Sequence, residues 1–175
     1  ALLSARVAAT SLSIEALRRL AGQPALPFDG RVDHEGEYRL RGFRFDTLEG
    51  GGSLRASGML RVGRPAEATI NARIRVASSR VAIDDARLES PGLNAELSGE
   101  FPLAGGKAGR GRLTAQLADL SRLAPIIDTL PDAARRPVAD IIGGSPGAVM
   151  KFQGALIWDR ALAVEGRLFG GPLFL

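Results

Sequence analysis

The chain has 175 residues, 45% of them hydrophobic and 24% charged, a composition that folds around one ordinary core and is not that of a disordered chain. It has no cysteine, which excludes disulfides, thiolate chemistry and cysteine metal sites. Its net charge of +4 comes from arginines interleaved with Asp and Glu, with no basic run beyond "RR" and only 5% aromatics, so a nucleic-acid partner is not expected.

The chain opens on an alternation, with Leu3, Ala5, Val7 and Ala9 set against Ser4, Arg6, Ala8 and Thr10, which predicts a strand through Thr10. Next, "SLSIEALRRLAG" places Ile14, Leu17 and Leu20 at helical spacing, with Ser11 or Ser13 to cap the helix and Gly22 to stop it. "FDGRVDHEGEYRL" and "GFRFDTL" read as two strands separated near Gly42, and "GGG" at 50 to 52 reads as a turn. Leu54, Ala56, Leu60 and Val62 form the following apolar face, punctuated by Pro65. In "AEATINARIRVASS", Ala68, Ile70, Ala72, Ile74 and Val76 stand opposite Thr69, Asn71, Arg73 and Arg75, the cleanest alternation of the chain. A shorter strand follows at "RVAIDDARLES".

"GLNAELSGEFPLAGG" then puts Leu93, Ala95, Leu97, Phe101 and Leu103 on one side and Asn94, Glu96, Ser98 and Glu100 on the other. Forty-one positions earlier, "GSLRASGMLRVG" aligns with it, Ser57 and Gly58 matching Ser98 and Gly99, and Ala56 matching Leu97. From Gly111 a strand on Leu113, Ala115 and Leu117 gives way to helical segments. Asp119 can cap one, holding Leu120 and Leu123, and Asp132 another, holding Val138, Ile141 and Ile142; Pro125 and Pro137 keep both short or kinked. "LTAQLA" here echoes "LSARVA" near the start, so strand, helix and a run of strands read as a repeating unit. "GAVMKFQGALIWDRALAVEGRLFGG" opens the second run, turning at Asp159-Arg160. Both ends break off in apolar alternation, which reads as a slice of a longer protein, with any anchor or signal outside it.

Catalytic chemistry is scarce. His34 is the only histidine, and in a strand its neighbours Asp33 and Glu35 point to the opposite face, so it reads as a surface or turn residue rather than a ligand. Asp84-Asp85 has no placed partner for acid–base work and reads as strand-end or turn chemistry. "GGSPG" around Ser145 departs from the nucleophile turn, "GKAGRGR" departs from a phosphate loop, and Trp158 reads as a packing residue. An enzyme is not expected, and no cofactor is implied.

The progression "GRLTAQLADLSRLAPIIDTLP", "DAARRPVADIIGGSPGAVMKFQGAL" and "LAVEGRLFGG" resembles the AsmA-like proteins of Gram-negative bacteria, especially those with YhdP-type repeats and, more distantly, TamB. "PFDGRVDHEGEYRLRGFRFDTLEGGGSLRASGML" is similar to the glycine-punctuated strands of that family. The resemblance implies a mostly β fold: a curled antiparallel sheet forming a taco-like groove, with short amphipathic helices. One groove repeat would cover residues 1–110 and the start of the next 111–175. It further implies a periplasmic protein, anchored in the inner membrane outside this segment, that carries phospholipid toward the outer membrane.

In that reading acyl chains are the partner, and Leu54, Ala56, Leu60, Val62, Ile70, Ile74, Leu93, Leu97, Phe101, Phe152 and Leu156 line the groove. Each buried methylene is worth about 0.8 kcal/mol, and small residues such as Ala56, Gly58, Ala72, Ala95 and Gly99 leave room for lipid. The alternatives are a structural or adhesive β-repeat module with a closed sandwich core and no lipid, and a transmembrane barrel, which the helical segments and missing aromatic girdles disfavour.

Overall fold

The computed structural model describes residues 2–20, 28–42, 44–61, 65–102, 108–118, 149–158 and 162–171. They form one nine-stranded sheet in which each strand pairs antiparallel with its sequence neighbours. In order, the strands are β1 (Leu2–Ser13), β2 (Phe28–Arg41), β3 (Glu49–Leu60), β4 (Ala66–Ala77), β5 (Arg80–Ser90), β6 (Leu93–Pro102), β7 (Gly109–Leu117), β8 (Val149–Trp158) and β9 (Leu162–Gly171). The sheet is curled and not closed into a barrel, with β1 and β9 at its edges. The described strands thus form one sheet and not two packed against each other, and β6 pairs with β7 across residue 110. The expected helices between Asp119 and Gly144, the Gly22 stop, Val62, Leu103 and the Asp159-Arg160 turn lie outside the described residues.

Helix α1 (Ile14–Leu20) follows β1 directly. Of the two candidate caps the structure selects Ser13, whose Oγ accepts the Ala16 N–H at 3.3 Å. Ser11 instead takes a left-handed φ of 57° at a bulge in β1; its N–H donates to Asp33 Oδ1 at 2.7 Å and its Oγ accepts from Arg31 at 3.1 Å. Glu15 receives hydrogen bonds from Arg18 and Arg19, and Ile14 packs onto the core cluster.

Three local expectations change. "GFRFDTL" is not a strand: after Gly42 at φ 61°, Phe45–Thr47 forms a 3-10 turn. Thr47 Oγ1 lies 2.7 Å from each of the Arg41 and Arg44 carbonyl oxygens, either of which can take its one proton, and accepts the Arg41 N–H, so the threonine hydroxyl competes with strand pairing for backbone groups. "GGG" is not a turn, because Gly50, Gly51 and Gly52 belong to β3 and pair with both β2 and β4. Asp84-Asp85 lies in mid-strand and not at a turn: β5 bulges there, which lets Ile83 and Ala86, three positions apart, both reach the apolar side. The two-residue connection between β4 and β5 is Ser78-Ser79, both at positive φ (52° and 59°), the twist that a tight hairpin needs.

Every buried apolar side chain among the described residues lies on one side of the sheet. Phe28, Val32, Ala56, Leu60, Ala68 and Val76 are 3 to 9% exposed, and all of them sit on the apolar face that the curl shelters. Four pairs of glycines oppose each other there: Gly30 with Gly58, Gly36 with Gly52, Gly99 with Gly111, and Gly154 with Gly166. A Cβ on Gly58 would stand 2.6 Å from the Gly30 Cα, closer than any real contact, so side chains at these crossings would push the strands apart.

Candidate functional site

The pairing register assembles one continuous apolar surface. Val32 lies opposite Ala56, then Ile70, Leu88, Ala95, Ala115 and Phe152 follow on successive strands. Since side chains alternate, every residue an even number of positions from these shares their face unless a bulge intervenes. By that rule Leu54, Ala56, Leu60, Ile70, Ile74, Leu93, Leu97, Phe101, Phe152 and Leu156 all stand on it. Of these, Ala56 and Leu60 are buried and the other eight are half-buried.

No large side chain among the described residues is fully buried. The face is deepest at the ends of β2, β3 and β4, where Phe28, Leu60 and Ala68 meet under Ile14 of α1, and it opens along β1, where Leu3, Val7 and Leu12 are 39 to 50% exposed. A two-layer core covers such residues almost completely; this surface leaves them half in solvent. Ala56, Gly58, Ala72, Ala95 and Gly99 all lie on it, so its floor is low.

The expectation for His34 changes as well. It occupies neither a turn nor the outer surface; it is half-buried in the middle of β2 on the apolar face, opposite Leu54. Its Nδ1 lies 3.0 Å from the Ser53 carbonyl oxygen and its Nε2 lies 2.9 Å from the Tyr38 hydroxyl. A carbonyl only accepts, so Nδ1 carries a proton, and in the tautomer this fixes Nε2 is the acceptor to which the Tyr38 hydroxyl donates. Burial among apolar neighbours raises the Tyr38 phenol above its usual pKa. Tyr38 was not singled out from sequence, although its position four residues after His34, with Gly36 between, places all three on one strand face.

The opposite face is wet and charged. Arg75 holds Asp84 through two nitrogens, one at 2.6 Å, and this bonding draws the Asp84 carboxyl below its ordinary pKa. Arg6 pairs with Glu35 and lowers it likewise, and Arg87 lies between Asp85 (3.3 Å) and Glu96 (3.6 Å). Two open depressions mark this side. One, of about 950 Å³, has Thr69, Arg87, Glu89 and Asn94 in its lining; the other, of about 1010 Å³, has Arg110, Arg112, Thr114 and Gln153. Among the described residues no group of three or more His, Asp or Glu stands close enough to hold a metal ion. Nor is any described helix long and apolar enough to cross a membrane.

Compared with known proteins, the chain matches no family model, no curated protein and no solved structure.

Proposed function

We propose that this chain is a segment of a periplasm-spanning envelope protein of the AsmA-like kind, anchored in the inner membrane of a Gram-negative bacterium, in which the curled sheet is a taco-like groove that carries phospholipid acyl chains toward the outer membrane. The observation that supports this reading most is the apolar face itself: nine strands wide, half exposed, floored by glycine and alanine, and backed by an outer face rich in charged residues, on which Leu2, Met59 and Phe169 are the exposed large apolar side chains among the described residues. At about 4.8 Å per strand step the surface extends roughly 38 Å, enough for an acyl chain laid along it, and each methylene taken from water contributes about 0.8 kcal/mol.

Repetition supports the same reading. Ser57-Gly58 and Ser98-Gly99, matched in the sequence, both place a glycine opposite another glycine on the sheltered face, at the β2/β3 and β6/β7 crossings. A repeated curved unit is what a long conduit requires. The test is native mass spectrometry of the longer protein purified from bacterial cells. Phospholipid bound in stoichiometric amount is the expected result; a lipid-free protein after gentle extraction would refute the reading in favour of a structural module.

A further inference from the structure

Among the residues whose side chains are described, the apolar face bears three polar ones: His34, Tyr38 and, at the end of β5, Ser90. Ser90 is spent on the Glu67 carbonyl at 2.8 Å. The geometry points to the His34–Tyr38 pair as a binding site of its own: a hydrogen-bond acceptor, set in the apolar face, for the hydroxyl or ammonium group of an acyl-chain amphiphile. This rests on the reading that acyl chains occupy the face, and it adds which polar group the face selects.

The assignment follows from counting valences. His34 Nδ1–H is taken by the Ser53 carbonyl and Nε2 by the Tyr38 proton, so what the pair still offers is the lone pairs of Tyr38 Oη. A hydroxyl or an ammonium can donate to them. An ester carbonyl or a phosphate oxygen brings only lone pairs, and turning the phenol proton toward it would strand Nε2 in apolar surroundings.

The acceptor is also held in place. A Cβ on Gly36 would lie 2.9 Å from Tyr38 Cε2 and 3.1 Å from His34 Nε2, and one on Gly50 would lie 2.9 Å from Tyr38 Cδ1. Both rings therefore rest directly on glycine backbone, tilted 38° to each other with centroids 5.8 Å apart. The residues facing His34 across the neighbouring strands, Ala9 of β1 and Leu54 of β3, are apolar and compete for none of its bonds, while Glu35 and Glu37 point to the opposite face.

Three probes with the same chain separate the possibilities: oleyl alcohol, oleylamine and methyl oleate, competed for the protein and read by native mass spectrometry. Oleyl alcohol, oleylamine or both should exceed methyl oleate by about three- to tenfold, the worth of one hydrogen bond, and which of them leads identifies the donor as hydroxyl or ammonium. Tyr38→Phe keeps the ring and should level the three while retaining chain binding. His34→Leu frees the phenol proton and should shift the preference toward methyl oleate, an inversion that loss of packing alone would not produce. Equal binding of all three by the parent, a preference that survives Tyr38→Phe, or an unchanged order in His34→Leu would each overturn the site. Binding of none of the three to the folded parent would remove the acyl-chain reading itself.

Discussion

Gly99 and Gly111 face each other across β6 and β7 so closely that a Cβ on Gly99 would lie 2.4 Å from the Cα of Gly111. On an ordinary sheet, opposed residues keep their Cα atoms about 4.5 to 5.5 Å apart and their side chains stand clear of the partner backbone. Here the fold needs the absence of a side chain at a defined crossing, and the same need recurs at Gly30/Gly58, Gly36/Gly52 and Gly154/Gly166.

A methyl group at Gly99 should therefore act as overpacking does in a core. Gly99→Ala is expected to lower stability by about 1 to 3 kcal/mol, read as a fall in the urea midpoint at constant slope. Gly42→Ala is the contrast: at φ 61° with no atom within 4 Å of the added carbon, it should cost only the left-handed backbone penalty of about 1 kcal/mol. Equal losses at both positions would show that the close crossing is not what shapes the sheet.

The groove and a covered core separate at Leu97. Half-buried on the apolar face, it stands between Ala86 and Leu113 on the neighbouring strands. If the face holds acyl chains, Leu97→Glu should keep strand content and melting temperature near the parent's while abolishing lipid crosslinking to a photoreactive residue at position 101, because a carboxylate there costs several kcal/mol against hydrocarbon. Glu96→Lys, on the wet face beside Arg87, should change neither. Collapse of the fold in Leu97→Glu would mean that packed protein covers the face.

Acid should loosen α1. Hydrogen bonds from Arg18, with a further one from Arg19, draw the Glu15 carboxyl down to about 2 from its usual 4.5. Because the folded value is the lower one, the contribution is complete above about pH 4.5 and drains away as pH falls toward 2. Melting temperature measured across that window should fall less steeply in Glu15→Gln than in the parent, and about 0.5 M salt should shrink the difference, since the carboxylate is exposed. Parallel profiles for the two proteins would remove Glu15 from the acid response.

Much of the sheet was legible in the chain. Alternation from Ala68 to Val76 and from Leu93 to Phe101 announced both the strands and the side each residue takes, because a strand's side-chain period of two leaves no other choice once one face is apolar. The bulge at Asp84-Asp85 was not legible. Two adjacent carboxylates look like a strand end until Arg75 and Arg87 on the wet face are seen to hold both. "GGG" likewise read as a turn because glycine permits turns, yet Gly50 and Gly52 are needed in β3 to clear Tyr38 and Gly36.

What the sequence by itself determined, then, is local: which segments extend, which face of each is apolar, and that Asp33 and Glu35 point away from His34. Those follow from the geometry of single strands, which neighbours in the chain settle between themselves. What only the tertiary structure decided is which residues meet: the order of nine strands in one curled sheet, the glycines that stand opposite glycines, and the His34–Tyr38 pair lodged in an otherwise apolar face. Register is the physical reason. A strand carries its pattern wherever it goes, but which side chains touch across it depends on how far each partner slides before pairing, and that is settled by burial of the whole face at once.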